Sequence, residues 1–287
     1  MAEISVAVGA ALKAHTSTRA RLPWGAWGLR GSALLYLVAC ALIPAIVIHV
    51  EGLRSGVQVF LESVTRPAAL GAITLTLWTA ALMALINMVM GTLTAYVLTA
   101  YRFPGKALVN LLIDLPFAIP TLVTGVMLVL LYGPQTALGG FLEKQLGVKV
   151  LFAPPGIVVA LLFISFPFVV RAVQPALAQL DPDQENAAFT LGGSPWQTFW
   201  RVVVPAIRPA VITGGLLSFA RALGEFGAVV IVAGNIPMRS QVAAVYIYAQ
   251  VESGTPQAAA SVSIVLLLIA FGVTLGIDLI QRRQRHA

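Results

Sequence analysis

The chain has 287 residues, of which 59% are hydrophobic and only 10% are charged, and its mean hydropathy is +0.90. A soluble domain is about half apolar and about a quarter charged, so this composition excludes a soluble enzyme, a disordered chain and a disulfide-bonded secreted scaffold. The apolar residues form long blocks rather than short alternating segments, which excludes an outer-membrane barrel.

Six apolar blocks are each long enough to cross a bilayer core, which takes about 20 residues. In chain order they are 31–50, 69–100, 107–132, 156–179, 207–234 and 257–280. We therefore predict an all-α polytopic membrane protein with six transmembrane helices over 31–280, an N-terminal tail over 1–30 and a C-terminal tail over 281–287. Cys40 is expected to be an ordinary buried residue of the first span, because the apolar run continues well beyond it.

The basic residues predict the orientation. The formal net charge is +7, and the basic residues collect in loops and tails, as membrane topology requires and without any need for nucleic-acid binding. Six spans place both termini on one side, where twelve basic residues lie, against five on the other side. Cytoplasmic loops carry the excess of Lys and Arg, so both termini are expected to be cytoplasmic. The first set is Lys13, Arg19, Arg21, Arg30, Arg102, Lys106, Arg171, Arg201, Arg208, Arg282, Arg283 and Arg285, and the second is Arg54, Arg66, Lys144, Lys149 and Arg239.

Several segments carry finer local signals. Residues 51–66 and 133–155 are predicted to hold short surface helices, and residues 235–256 a helix that lies at the outer surface or partly re-enters the membrane. Pro116 and Pro120 are expected to kink the third span. The last span carries a GxxxG motif that is typical of close helix packing, formed by Gly272 and Gly276.

The connection between the fourth and fifth spans, residues 180–210, is too apolar for a solvated linker. Asp181 is suited to begin a short helix over 183–191, which Gly192 is suited to end. Ser194 begins a second helix in the same way. One side of this helix bears Trp196, Phe199 and Trp200, and the entry to the fifth span is marked by Pro205 and Pro209. The residues leave two interpretations open: a hairpin that rests on the membrane surface, and a segment that docks onto a partner protein.

The spacing within this loop resembles the cytoplasmic loop of ATP-binding-cassette importer permeases. That motif has Glu-Ala-Ala, three residues, Gly, nine residues and then Ile-x-Leu-Pro. This chain has Asn186-Ala187-Ala188, Gly192 and Val202-x-Val204-Pro205 at the same spacing, with Asn186 in place of the Glu and Glu185 just before it. The blocks YRFPGK, DLPFAIPT, FPFVVRAVQP and FARALGEFGAVVIVAGNIP resemble the sulfate/thiosulfate branch, in particular its T-type permease subunit. The family-like core extends over 69–280.

The resemblance implies a type I importer permease that forms half of a translocation pathway in a bacterial-type cytoplasmic membrane. It implies a homologous second permease subunit, two ATP-binding subunits and an extracytoplasmic sulfate- or thiosulfate-binding protein. ATP and Mg are expected on the ATP-binding subunits, because this chain has no G-x-x-x-x-G-K-[ST] loop. The chain is therefore expected to be a transport subunit, without catalysis or a bound cofactor of its own.

The same resemblance makes residues 181–205 the loop that couples to the ATPase. Its candidate residues are Glu185, Asn186, Ala187, Ala188, Gly192, Val202, Val204 and Pro205. In this interpretation the small side chains permit close approach of the partner, and the glycine permits a turn that a side chain would obstruct.

Four ionisable residues in or near the spans are the other candidates, because a charge at the bilayer centre costs roughly 2.5–3.5 kcal/mol on insertion scales. Arg221 and Glu225 are four residues apart, and they form either a structural ion pair or a gate or subunit contact. Asp114 is expected to cap or pair with a neighbouring helix. Arg171 is expected to reach the interface, or to pair with Asp114 or with the partner subunit.

Other functions remain as alternatives. A molybdate or tungstate importer permease would carry a similar tetrahedral dianion. An ion-coupled secondary transporter would give the 180–210 loop no purpose, and no internal repeat is visible. An intramembrane enzyme lacks support, because His15, His49 and His286 are scattered and no span holds a cluster of metal ligands or nucleophiles.

Overall fold

The computed structural model describes residues 23–285, with side chains from Trp27 to Arg282, and this part of the chain is helical without strands. The helices are α1 (Pro23–Leu37), α2 (Ile43–Leu53), α3 (Val57–Thr65), α4 (Pro67–Ala100), α5 (Lys106–Ala118), α6 (Thr121–Tyr132), α7 (Ala137–Leu146), α8 (Pro154–Ala178), α9 (Pro182–Thr190), α10 (Pro195–Thr198), α11 (Val204–Leu223), α12 (Gly227–Ala233), α13 (Ala243–Glu252) and α14 (Pro256–Arg285). A π turn over Val38–Leu42 joins α1 to α2, and a second one over Phe199–Val203 joins α10 to α11.

Five helical segments of the described chain are long and apolar enough to cross a membrane. They are Trp27–Leu53, Pro67–Ala100, Pro154–Ala178, Pro195–Leu223 and Pro256–Arg282, and α5 with α6 makes a sixth if the bent pair is one span. The predicted all-α class is therefore confirmed, with five candidate spans in the described chain, or the predicted six if α5 and α6 form one. The short helices predicted over 51–66 and 133–155 are present as α3 and α7, and residues 235–256 contain α13.

The chain divides into two units, and the first ends at Val47. Its described part is apolar helix from Pro23 onward, so the first span begins before the predicted residue 31. Most of the predicted tail 1–30 lies outside the described residues. Cys40 is exposed, so the prediction that it is buried is wrong. Pro44 explains the π turn around Cys40, because its ring clashes with the carbonyl four residues back; the N–H of Ile43 bonds five residues back, to Val38.

The second unit, from Ile48 onward, is built on α4, α8 and α11. Asn87 of α4 is buried at the centre of these helices, and its side-chain amide donates to the Leu162 carbonyl of α8 at 3.4 Å. The backbones of α8 and α11 approach closely at Gly214, where a Cβ would lie 2.9 Å from the Cα of Val169. Small residues therefore set the spacing of this core.

Replacing Gly214 with leucine is expected to force α11 away from α8 and to destabilise the chain by about 1–3 kcal/mol, because the site has no room for added atoms. The measurement is the midpoint of thermal aggregation of the purified chain in detergent. Gly272→Leu is the matched control, because a Cβ at Gly272 meets nothing within 4 Å. Equal midpoints for the two variants would contradict the close approach at Gly214.

Gly272 and Gly276 do not pack against another helix of the described chain, since a Cβ at either position would meet nothing within 4 Å. The close packing predicted from this GxxxG motif is therefore absent among the residues that the structure describes. The surface around the motif includes the exposed side chains of Phe271 and Leu275.

The third predicted span is broken rather than kinked. α5 ends at Ala118, α6 begins at Thr121, and their axes make an angle of 112°. Ile119, which precedes Pro120, is extended, with φ −84° and ψ 127°. Proline disfavours the helical conformation of the residue before it, so the chain leaves the helix at Ile119 and starts a new one after Pro120.

The fifth predicted span, 207–234, has different bounds in the structure. One continuous helical segment runs from Pro195 to Leu223, so the predicted boundary at Pro205 and Pro209 is wrong. The second π turn accommodates Pro205 as the first accommodates Pro44. In both, the residue before the proline bonds five residues back, here from the N–H of Val204 to the carbonyl of Phe199. The segment then breaks after Leu223, and Gly227–Ala233 forms the separate helix α12.

Candidate functional site: the 181–205 loop and the charges within the spans

The loop helix α9 is defined at its start by local capping. The Asp181 carboxylate accepts a hydrogen bond from the N–H of Asp183 at 3.0 Å, and Pro182 occupies the first helical position. Asp183 and Glu185 lie in the first turn, where negative charge favours a helix N-terminus. The sequence prediction of a helix over 183–191 agrees with the observed Pro182–Thr190.

The end of α9 is a Schellman motif. Gly192 has φ +83°, and its N–H donates to the carbonyl of Phe189 at 3.0 Å. The N–H of Gly193 reaches the carbonyl of Ala188 at 2.9 Å. This left-handed conformation favours glycine strongly, which explains why the residue at position 192 has no side chain.

The second loop helix also has a defined start. Ser194 and Gln197 form a capping box, in which each side chain bonds the backbone N–H of the other residue. The adjoining π turn contains Phe199, which is buried and packs edge-on against Tyr96 of α4 with ring centroids 4.9 Å apart. The loop is thus anchored to the end of a membrane-spanning helix.

The loop presents apolar side chains outward. Leu191 is 88% exposed, and Phe189, Trp196 and Trp200 are also exposed. Exposed apolar residues this close together mark a surface that contacts a partner or a membrane. Of the predicted motif residues, Asn186, Ala187, Gly192 and Pro205 are exposed, and Glu185, Ala188, Val202 and Val204 are partly buried.

Two clefts border the loop helix, and five of the eight motif residues line one or the other. A cleft of about 410 Å³ separates α9 from the end of α4, and Glu185, Asn186 and Tyr96 line it. A second one, of about 300 Å³, is lined by Ala188, Gly192 and Val202. Glu185 and Asn186 therefore border the side of α9 that faces its own chain, whereas Leu191 projects outward.

Arg221 and Glu225 form the ion pair that the sequence left as one of two alternatives. A terminal guanidinium nitrogen of Arg221 lies 2.9 Å from Oε2 of Glu225, and the Glu225 side chain is only 2% exposed. The other carboxylate oxygen accepts the N–H of Ala228 at 3.0 Å. Glu225 therefore lies past the end of α11 and links Arg221 of α11 to the first turn of α12. The prediction that Arg221 and Glu225 lie on one helix is wrong.

Arg171 and Asp114 also form a pair, on α8 and α5. Nε of Arg171 donates to Oδ1 of Asp114 at 2.7 Å, and a terminal nitrogen donates to Oδ2 at 2.5 Å. Asn110 and Gln174 complete the network as acceptors for the guanidinium. Neither amide was predicted from the sequence, although Asn110 is four residues before Asp114 and Gln174 three after Arg171. Residues three or four apart on a helix lie on the same face, so this spacing could have placed both amides beside the charged residues.

Comparison with known proteins places the chain among transport subunits. The family described as "Binding-protein-dependent transport system inner membrane component" matches residues 87–286. The "Sulfate transport system permease protein CysT" of Escherichia coli is 39% identical over 253 residues, which cover 88% of this chain and 91% of that protein. The "Sulfate transport system permease protein CysW" of Synechocystis is 37% identical over 254 residues, covering 88% of this chain and 92% of that one.

Solved structures give the same fold. A chain of a bacterial alginate ABC transporter in complex with a periplasmic protein has a TM-score of 0.75 at 18% identity, covering 91% of this chain and 94% of that one. A chain of the MetNI methionine ABC transporter has a TM-score of 0.51 at 16% identity, covering 74% and 95%. The chain belongs to the family of binding-protein-dependent transport system inner membrane components, with the fold of a type I ATP-binding-cassette importer permease.

Proposed function

We propose that this chain is a permease subunit of an ATP-driven importer of sulfate, with thiosulfate as a second substrate. Loop 181–205 carries the proposal, because it combines a capped helix, a glycine turn and outward apolar residues next to the end of α4. The relatives named as sulfate transport permeases, at 37–39% identity over most of the chain, support the choice of oxyanion.

The proposed assembly contains a homologous second permease subunit, two ATP-binding subunits and an extracytoplasmic sulfate-binding protein. This chain lies in the cytoplasmic membrane with both termini inside, as the excess of basic residues on that side favours. ATP and Mg bind to the ATP-binding subunits. The permease chain supplies half of the pathway and no catalytic group.

In this proposal α9 is the coupling helix. It fits a groove of an ATP-binding subunit, with Leu191 as its apolar anchor, and it moves when ATP closes the ATPase dimer. The contact of Phe199 with Tyr96 and the continuous helix from Pro195 to Leu223 carry that movement into the spans. Rigid-body motion of packed helices then switches the pathway between its two open states.

The test is uptake of radiolabelled sulfate into proteoliposomes that contain the complete transporter, with and without ATP and binding protein. The expected result is uptake that requires both. Uptake driven by an ion gradient without ATP would support a secondary transporter and contradict the proposal. If uptake of molybdate or tungstate with the native binding protein exceeds that of sulfate, the chain is instead a permease subunit of a molybdate or tungstate importer.

A further inference from the structure

The polar residues Asn110, Asp114, Arg171 and Gln174 form a seam between α5 and α8, here called the Arg171 seam. Within it, every N–H of the guanidinium donates to the chain itself. Two go to the Asp114 carboxylate, two to the side chains of Asn110 and Gln174, and one to the carbonyl of Asn110 at 3.1 Å. A guanidinium has five donors, so Arg171 needs no group from another subunit to be satisfied.

The Arg171 seam is nevertheless open to its surroundings. The side chain of Arg171 is 34% exposed and that of Asp114 is 44% exposed. Arg171 lies seven residues before the end of α8, and Asp114 eight residues after the start of α5. At ~1.5 Å per residue, the pair lies about 10–12 Å inside the helix ends on the side of the loop.

An exposed ion pair at this depth is inconsistent with contact to lipid tails, because ionisable groups within spans face a bundle interior or a water-filled cavity. The carboxylate oxygens of Asp114 each accept one hydrogen bond from Arg171, which leaves further lone pairs on the exposed side. Those lone pairs are accessible to solvent. Leu112, two residues from both Asn110 and Asp114, is 55% exposed and lies on the opposite side of α5. The exposed surface of α5 is therefore polar on one side and apolar on the other.

We infer that the Arg171 seam lines the anion path near its cytoplasmic exit, and that Asp114 is a tethered counter-ion that prevents sulfate from being held by Arg171. This inference rests on the proposed function. A bare guanidinium in a site of low dielectric binds a dianion strongly, whereas conduction requires binding weak enough for release. With Asp114 in place the pair is neutral and every N–H of the guanidinium is already bonded within the chain, so the seam offers a tetrahedral oxyanion only weak contact.

The first test is Asp114→Asn in the complete transporter, reconstituted with its ATP-binding subunits and binding protein. Removing the counter-ion exposes the charge of Arg171, so sulfate remains bound at the exit. We expect the maximal uptake rate to fall about tenfold, and sulfate on the ATP side to inhibit uptake at about tenfold lower concentration. The double variant Arg171→Gln with Asp114→Asn removes both charges, and it should restore the inhibition constant towards that of the parent.

Asp278→Asn is the matched control. Asp278 pairs with Arg282 at 2.7 Å near the end of α14, where both side chains are exposed. An exposed pair of this kind contributes little, so rate and inhibition should match the parent. An Asp114→Asn complex that assembles and shows the parent's rate and inhibition constant would overturn the inference. Failure of the parent to import sulfate would instead refute the proposed function.

The second test does not depend on the stability of Asp114→Asn. Cys40 is the single cysteine of the chain, so a Cys40→Ala background allows one new thiol to be followed. Asn110→Cys should react with a charged, membrane-impermeant thiol reagent and be protected by sulfate, because only a hydrated thiol forms the reactive thiolate. Leu112→Cys should remain unlabelled. Equal labelling of the two positions, or none at Asn110→Cys in an assembled complex, would place the Arg171 seam in a dry interface and overturn the inference.

Discussion

Substitution of Glu225 by alanine is expected to remove most transport and to destabilise the chain by about 3 kcal/mol, since it leaves Arg221 without its buried partner. The loss of stability is not larger because the side chain of Arg221 is 35% exposed, and water therefore screens part of its charge. The same change removes the acceptor for the N–H of Ala228 at the start of α12. The measurements are the thermal midpoint of the purified chain and sulfate uptake by the reconstituted complex.

Two further variants separate charge from local geometry at the break between α11 and α12. Glu225→Gln retains an oxygen for the Ala228 N–H and loses only the charge, so its midpoint should lie between those of the parent and Glu225→Ala. Asp278→Ala breaks an exposed pair with the same four-residue spacing and should cost less than about 1 kcal/mol. A Glu225→Ala chain as stable as Asp278→Ala would show that the buried pair is not a structural element.

Replacement of Gly192 by valine is expected to reduce both sulfate uptake and sulfate-stimulated ATP hydrolysis by at least about tenfold. A left-handed conformation costs a residue with a Cβ about 1–2 kcal/mol, so the Schellman turn opens and Leu191 leaves its position. No atom of the chain lies within 4 Å of a Cβ at Gly192, so the effect does not come from overpacking. Uptake and ATPase rates of the reconstituted complex measure it.

Gly147→Val provides the same strain at a different place. Gly147 ends α7 with φ +66°, and a Cβ there also meets nothing within 4 Å. Its turn lies in the loop between α6 and α8, away from the loop that contains α9. Transport by Gly147→Val is expected to remain near the parent rate. A comparable loss in both variants would mean that turn strain in general, and not the coupling loop, limits transport.

The class of the fold and the position of the 181–205 loop follow from the sequence because both depend on local composition. Charge-free blocks reveal spans without any knowledge of packing. The bonds that begin and end the loop helices join residues two to three positions apart, at Asp181, Ser194 and Gly192. Their effects can therefore be predicted from the sequence alone. The predicted and observed starts of α9 agree within one residue.

Proline was the least predictable residue. Pro120 ends a helix, whereas Pro205 lies within a continuous one and only widens the preceding turn. The outcome depends on whether the rest of the fold supports the helix on both sides, through contacts such as that of Phe199 with Tyr96. Contacts of this kind join positions far apart in sequence, and a local pattern does not contain them. The exposure of Cys40 is unpredictable for the same reason.

The charges within the spans were predicted with both ion pairs among the alternatives, but the amides around Arg171 and the second bond of Glu225 were not predicted. Arg171 and Asp114 are 57 residues apart, and their pairing depends on how α5 packs against α8. The amides of Asn110 and Gln174 join them only once that packing exists. Glu225 was expected on the same helix as Arg221, and its actual position past a helix end gives it a second role as acceptor for α12.

The segment from Pro195 to Leu223 has a mechanical consequence, because the helix continues past Pro205 through the π turn. Its 29 residues make a rod about 43 Å long at ~1.5 Å per residue. The rod begins in the loop proposed to touch the ATPase and ends at the break that Glu225 closes. Tilting such a rod by about 5° about one end displaces the other end by about 4 Å. A small rotation at the loop would therefore move the far end of the helix, across the membrane, by about the length of a side chain.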